Sequence, residues 1–417
     1  MNVVSTTFSL VTRGGHPDFL DLPWSQPLAT WDSPRLVSMA RGVSRHVVRF
    51  VAYDGRVYAL KETSRELAER EFRALRELDQ RALPIVGAVG VVTGRSAAND
   101  EVLDAVLITK FLEFSLPYRY MLSRAGGTEL RDRLLDAGAL LLARLHLDGV
   151  FWGDCSLSNV LFRRDAGALM AYLVDAETVE IGDSPLGDRL REHDLDIATE
   201  NIAGGLVDLQ AGGLLTTSLD AFATVAELTD RYAALWSELT RVDELGADER
   251  HRIDDRVRRL NDLGFDVEEL HIETTPVGDR LRIRPMLVEE GHHCRELRRR
   301  TGLEVQENQA RRLLNDIARF RAWVEHDEGH TISEAAAAAR WLADVYEPIV
   351  ERVPPELRSR LEPAELFHEL LEHRWFLSES QGREVTNEEA LRSLLSAVLP
   401  QRPEERTILS DPGAGDD

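Results

Sequence analysis

Asp154, Asn159, Asp175 and Lys61 have the types and the order that moving a phosphoryl group requires. Asp154 stands in Phe151-Trp152-Gly153-Asp154-Cys155-Ser156-Leu157-Ser158-Asn159, so the Asn follows it by five positions. Asp175 ends a second apolar run, Leu173-Val174-Asp175-Ala176-Glu177. A loose phosphoryl-transfer transition state asks for positioning and charge neutralisation rather than covalent help. In that chemistry Asp154 accepts or orients the proton of an attacking hydroxyl, Asn159 binds Mg²⁺, and Asp175 chelates metal between the β- and γ-phosphates. Mg²⁺ keeps several waters, so Asn159 and Asp175 with nucleotide oxygens suffice, and Glu177 is a further ligand through water. Ser156 and Ser158 contact phosphate or cap the turn. Asp-x4-Asn alone is common, and a helix-capping Asp is the plain alternative for each acid. The order of the whole set carries the reading.

Of the 50 basic residues only Lys61 and Lys110 are lysine. That bias fits a GC-rich coding sequence, and a lysine kept against it marks a role that arginine cannot fill, such as a compact ammonium on phosphates. Lys61 closes Tyr58-Ala59-Leu60-Lys61, near the Val-Ala-Ile-Lys pattern, and would hold the α/β-phosphate oxygens. Glu71 on the following helix is its expected partner, with Glu69 as runner-up. Lys110 receives no role. Ala40-Arg41-Gly42-Val43-Ser44-Arg45 places Gly42 and Ser44 as candidate nucleotide contacts. A single Gly matches a Gly-rich phosphate loop poorly, so a plain hairpin turn is an equal reading.

These residues need elements to hold them. Residues 1–34, rich in Pro and Trp, read as an extended lead-in that packs its aromatics on the first domain. Strands are predicted at 36–39, 47–51 and 57–61, with Asp54-Gly55 as a hairpin turn. A helix follows over 64–78 with Leu67, Phe72, Leu75 and Leu78 broadly on one face. Strands at 84–93 and 102–112 lead to Glu113–Pro117, a connector where a nucleotide base would stack. A long helix spans 128–149, and its His146 reads as a core residue. Residues 200–265 read as polar helix broken at Gly204-Gly205 and Ala211-Gly212-Gly213. Strands at 267–274 and 280–288 pair, and helices follow at 291–301, 304–326, 331–349 and 362–378. Gly291-His292-His293-Cys294, beside Glu289 and Glu290, invites a metal; adjacent side chains rarely converge on one ion, so a helix start is preferred.

A net charge of −23 argues against broad binding to nucleic acid or an anionic membrane surface. The apolar run from Leu134 to Trp152 is interrupted by Asp136, Arg144, His146 and Asp148, so no integral membrane segment is expected. The N-terminus lacks a basic start and long apolar core, and the two cysteines make no disulfide framework. The expected location is cytoplasmic.

With these motifs, residues 35–215 resemble the protein-kinase-like superfamily, in the style of lipopolysaccharide kinases, RIO kinases and aminoglycoside phosphotransferases. Trp152-Gly153-Asp154 resembles the His-Gly-Asp of the small-molecule branch, Asp175-Ala176-Glu177 its Asp-x-Glu, and His193-Asp194-Leu195-Asp196-Ile197-Ala198 the Asp-Leu-Ala segment that follows. The full chain is similar to uncharacterised bacterial lipopolysaccharide-kinase-like proteins whose C-terminal part is a domain of unknown function. The resemblance implies an α+β, bilobal protein-kinase-like fold: a β-rich N-lobe and a helical C-lobe, then a mostly helical α+β domain. Boundaries are expected at 1–34 for the extension, 35–215 for the kinase-like domain, 216–400 for the C-terminal domain and 401–417 for a disordered acidic tail. The implied activity is an ATP- and Mg²⁺-dependent phosphotransferase acting on a hydroxyl of a small molecule, glycan or protein. A protein partner of the C-terminal domain is a further expectation. The alternatives are a pseudokinase that senses nucleotide or docks a protein, and transfer of AMP on the same fold. Gly153 replaces the Arg that precedes the catalytic Asp in regulated protein kinases, and no Ala-Pro-Glu follows Asp175, so activation-loop switching is not expected.

Overall fold

The computed structural model describes residues 8–38, 45–117, 128–215, 219–241, 243–245, 267–274, 281–287, 291–402 and 404. Gly42 and Ser44, Glu289 and Glu290, and the tail from 405 onward lie outside them. The chain divides into two units. Of the described residues, the first holds those up to Phe162 and Ala171–Tyr232; the second holds Arg163–Met170 and those from Ala233 to 404.

The first unit opens with an antiparallel sheet. Its strands are β1 (Ser9–Thr12), β2 (Leu36–Val37), β3 (Val47–Tyr53), β4 (Arg56–Thr63), β5 (Ala88–Thr93) and β6 (Ala105–Lys110), in the order β1-β5-β6-β4-β3-β2. Asp54 and Gly55 both have positive φ, 49° and 76°, the two-residue turn that suits the twist of β3 and β4. Strand side chains alternate between faces. Tyr58 and Leu60 are buried with Phe19, Leu22, Trp24 and Leu28 of the lead-in, and Lys61 points the other way. The lead-in thus packs its aromatics as its composition suggested. It also adds β1 at the sheet edge, which the sequence reading did not foresee. The fully buried Arg95 pins it, donating to Trp24 O at 3.1 Å and to Glu62 Oε1 at 2.7 Å, while Glu62 accepts the Leu28 N–H at 3.0 Å.

Helix α1 (Arg65–Gln80) starts at Ser64, whose hydroxyl accepts the Leu67 N–H. Its buried face carries Ala68, Phe72, Leu75 and Leu78, and Glu71 sits among them. After β7 (Leu116–Pro117), helix α2 (Thr128–Leu147) buries Leu134, Leu141, Leu142 and Leu145. Then come β8 (Val150–Phe151), the hairpin β9 (Val160–Asp165) and β10 (Ala168–Leu173), and β11 (Glu180–Ile181). Helices α3 (Asp188–Ala211) and α4 (Ala221–Thr240) follow. Gly204-Gly205, read from sequence as a break, lies inside α3. A Cβ on Gly205 would come within 2.9 Å of Leu157 Cδ1, so the glycine serves the close approach of the loop that carries Asp154. Helix α3 ends at Gly212.

The second unit contains the paired strands Val267–Thr274 and Leu281–Leu287 and the helices His292–Thr301, Glu307–Glu328, Glu334–Trp341, Pro363–Gln381 and Asn387–Ser393. Trp341, Tyr346, Phe367 and Leu370 lie at its apolar core. The tip of the β9–β10 hairpin belongs to this unit. Asp165, fully buried, accepts from Gln309 N at 2.9 Å, Asn308 N at 3.2 Å and Asn308 Nδ2 at 3.0 Å, so it caps helix Glu307–Glu328 from outside that helix. Glu365 accepts the Ala166 N–H at 2.8 Å, and Arg163 pairs with Glu362 at 2.6 Å. His293 starts its helix as expected: Glu307 receives its ring Nδ1 at 2.9 Å and its backbone N–H at 3.0 Å.

Candidate active site

Strand β4 delivers Lys61 and α1 delivers Glu71, and their side chains meet at 3.0 Å. Lys61 Nζ also lies 3.0 Å from Asp175 Oδ2 and 2.7 Å from Glu177 Oε1. Glu69, the runner-up, pairs instead with Arg65 one turn away. Backbone donors complete the cluster: Ala176 N–H reaches Glu71 Oε1 at 3.4 Å and Glu177 N–H reaches Asp175 Oδ1 at 3.0 Å. His46 Nε2 stands 2.9 Å from the same Glu177 oxygen, Oε1, that Lys61 meets.

Burial works to lower the pKa of Lys61, but Glu71 and Asp175 outweigh it, with Glu177, and hold the ammonium well above its usual range. Burial pushes Glu71 up to about 7, with Lys61 opposing and Asp175 reinforcing. These directions pull apart, since the first favours an ionic pair and the second a neutral acid. Lys61 faces two further carboxylates and stays charged, and Glu71 is raised because it is the most buried of the three acids. Carboxylate oxygens of Glu71, Asp175 and Glu177 lie within 4.8 Å of one another. Three hard oxygen donors sharing one ammonium leave uncompensated negative charge, a donor set that fits Mg²⁺.

Asp154 is held separately. Asn159 Nδ2 donates to its backbone oxygen and to Oδ2, both at 3.0 Å, and Asn201 Nδ2 donates to Oδ1 at 3.1 Å. Arg45, largely exposed, is 3.9 Å from Oδ2. Burial pushes the Asp154 carboxyl up, Asp175 adds to this, and Arg45 and Asn159 oppose it. The Ser156 and Ser158 hydroxyls bond to each other at 3.0 Å.

The turn before Asp154 is clamped from α3. Both oxygens of buried Asp194 accept its backbone N–H groups, from Trp152 at 2.8 Å and from Gly153 at 2.8 Å. His146 Nε2 is 3.1 Å from Asp194, and its Nδ1 is 2.7 Å from Tyr232 O–H, so this histidine supports the turn from the core. Gly153 has φ +74°, and a Cβ there would lie 2.9 Å from the Phe151 ring. The position that carries Arg in regulated kinases therefore admits only glycine comfortably here. Trp152 Nε1 donates to Asp175 O at 3.1 Å and Val174 N to Asn159 O at 3.0 Å, which joins the two halves of the motif.

The structure thus brings Lys61, Glu71, Asp175 and Glu177 into one cluster and Asp154 and Asn159 into another, all in the first unit. Sequence reasoning missed His46 and Asn201. Asn201 had a signal: it lies seven residues after Asp194, two helical turns along one face. His46 reaches Glu177 from β3's approach, and no local spacing announces it.

Residues 55–202 match the lipopolysaccharide kinase (Kdo/WaaP) family. Residues 234–399 match a domain of unknown function, DUF4032. The lipopolysaccharide-kinase-like match runs from the β3–β4 turn into α3 and so contains Lys61, Glu71, Asp154, Asn159, Asp175, Glu177 and Asn201, whereas Gly42, Ser44, Arg45 and His46 lie outside it. A solved structure titled "WaaP in complex with acyl carrier protein" is similar at 17% identity and a TM-score of 0.35, over 61% of this chain and 99% of that one. Among curated proteins none matches this chain. No helix among the described residues is long and apolar enough to cross a membrane.

Proposed function

We propose that the first unit is an ATP- and Mg²⁺-dependent phosphotransferase acting on a hydroxyl of a small molecule, glycan or protein. The observation that carries this reading is Lys61 held at once by Glu71 and Asp175, at 3.0 Å each. Lys61 binds the α/β-phosphate oxygens while Glu71 keeps its ammonium in place. Asp175, Asn159 and Glu177 would hold Mg²⁺, which would supply charge neutralisation to the nucleotide phosphates. Asp154 orients the acceptor hydroxyl and takes its proton; its raised pKa suits that role better than an ordinary carboxylate would. The cytoplasm, where ATP is supplied, is the proposed location.

The test is thermal unfolding with about 1 mM ATP, an upper-range enzyme KM, with and without Mg²⁺, on the wild type and on Asp175→Ala. The expected result is a stabilisation that needs Mg²⁺ and vanishes in the variant; saturation to a hundred times Kd adds about 2.7 kcal/mol. No stabilisation of the wild type under any condition would sink the reading.

A further inference from the structure

We propose that Asn201 is a positioning residue for Asp154: its side-chain amide, with that of Asn159, fixes the carboxylate that receives the acceptor's proton. This rests on the phosphotransferase reading above. The two amides approach different oxygens, Asn201 Nδ2 on Oδ1 at 3.1 Å and Asn159 Nδ2 on Oδ2 at 3.0 Å. A carboxylate held at one oxygen still swings about its Cβ–Cγ bond; held at both, its plane is set. Each oxygen then keeps a second lone pair for the incoming hydroxyl.

The helix gives Asn201 its standing. Asp194 and Asn201 lie two turns apart on α3. Asp194 takes the backbone N–H groups of Trp152 and Gly153, and Asn201 takes the side chain of the residue that follows them. One rigid helix therefore sets both the path of the loop and the direction of its reactive group. Gly205, one turn further, lets Leu157 of the same loop lie against the helix. The loop's own Asn159 moves with the loop, whereas Asn201 refers Asp154 to a separate element. A hydroxyl must meet the carboxylate at hydrogen-bond distance and in line, and a misplacement near 1 Å costs about a hundredfold in rate.

The test uses the full chain, Mg·ATP and water as the acceptor, read as release of inorganic phosphate. In that turnover a water oxygen bonds to the γ-phosphorus, the bond to the β–γ bridging oxygen breaks and ADP leaves. The water's proton passes to Asp154 and then to solvent. Asn201→Ala is expected to lower kcat roughly tenfold, the value of one hydrogen bond to a charged group. The KM for ATP and the Mg·ATP-dependent thermal stabilisation should stay within about twofold of wild type, because Asn201 touches none of the proposed nucleotide ligands except through Asp154. Asn201→Asp discriminates donation from packing. It fills the same space, so a packing role predicts a milder effect than Ala; replacing the donor with a second carboxylate predicts a harsher one, roughly a hundredfold. Both variants turning over at the wild-type rate would overturn the proposal, as would an Asp variant milder than Ala. A wild type that binds Mg·ATP but releases no phosphate would overturn the role of Asp154 and this inference with it. A wild type that does not bind Mg·ATP at all would overturn the phosphotransferase reading itself.

Discussion

Lys61 is a place where charge conservation and shape conservation come apart. Arginine supplies nearly every other positive charge in the chain, yet a planar guanidinium cannot replace a point charge that meets Glu71, Asp175 and Glu177 together. Lys61→Arg is expected to keep the fold, weaken the Mg·ATP-dependent rise in Tm and lower phosphate release about a hundredfold. Thermal unfolding and a phosphate assay on one preparation check both. Gly153→Ala should act on stability first. The left-handed backbone costs an L-residue about 1–2 kcal/mol, and the Phe151 ring must also move, so chemical denaturation should show a loss of that order. The spacing of Asp154, Asn159 and Asp175 was legible because loop and strand lengths fix it. The Lys61–Glu71 meeting was legible because a strand's alternation and a helix's period locate both side chains. Asn201 and His46 were not, because a side chain arriving from a sequence-distant element leaves no mark in the residues around its target.

At the scale of elements, helix Glu307–Glu328 carries its own capping box, Gln306 with Gln309, and takes a second cap from Asp165 of a strand hairpin, a pairing that the helix's own sequence does not reveal. Asp165→Ala removes three accepted hydrogen bonds and should lower stability by about 1–3 kcal/mol in urea unfolding. Burial raises Asp165 to about 6 from 3.8. The folded state therefore binds more protons than the unfolded one between those values, and this residue's contribution falls as pH rises through that window. Glu307 has the opposite sign. Burial raises it, but bonds from His293 and Cys294 outweigh that and hold it at about 2 against 4.5, so its contribution is present above pH 4.5 and is lost as pH falls toward 2. Urea midpoints at pH 4 to 7 should thus decline less steeply in Asp165→Asn than in the wild type. The strand pairs and most helices of both units could be read from periodicity. Gly204-Gly205 misled because glycine marks close approach as readily as it marks a break, and only the position of Leu157 decides between them.

For the molecule as a whole, a net charge of −23 means that folding gathers like charges. Added salt screens them, with a Debye length near 30 Å at 0.01 M and about 8 Å at 0.15 M. The Tm should therefore rise with sodium chloride across that range in the absence of nucleotide; a flat or falling Tm would show that paired charges dominate instead. The hairpin between Asn159 and Asp175 carries another consequence. Its tip, residues 163–170, leaves the first unit for the second and the chain then returns. A chain cut after Tyr232 would keep Asp165 and Ala166 but lose Asn308, Gln309 and Glu365, their partners. The two parts are interlaced along the sequence, so a truncation at Tyr232 leaves the hairpin tip without the groups that hold it.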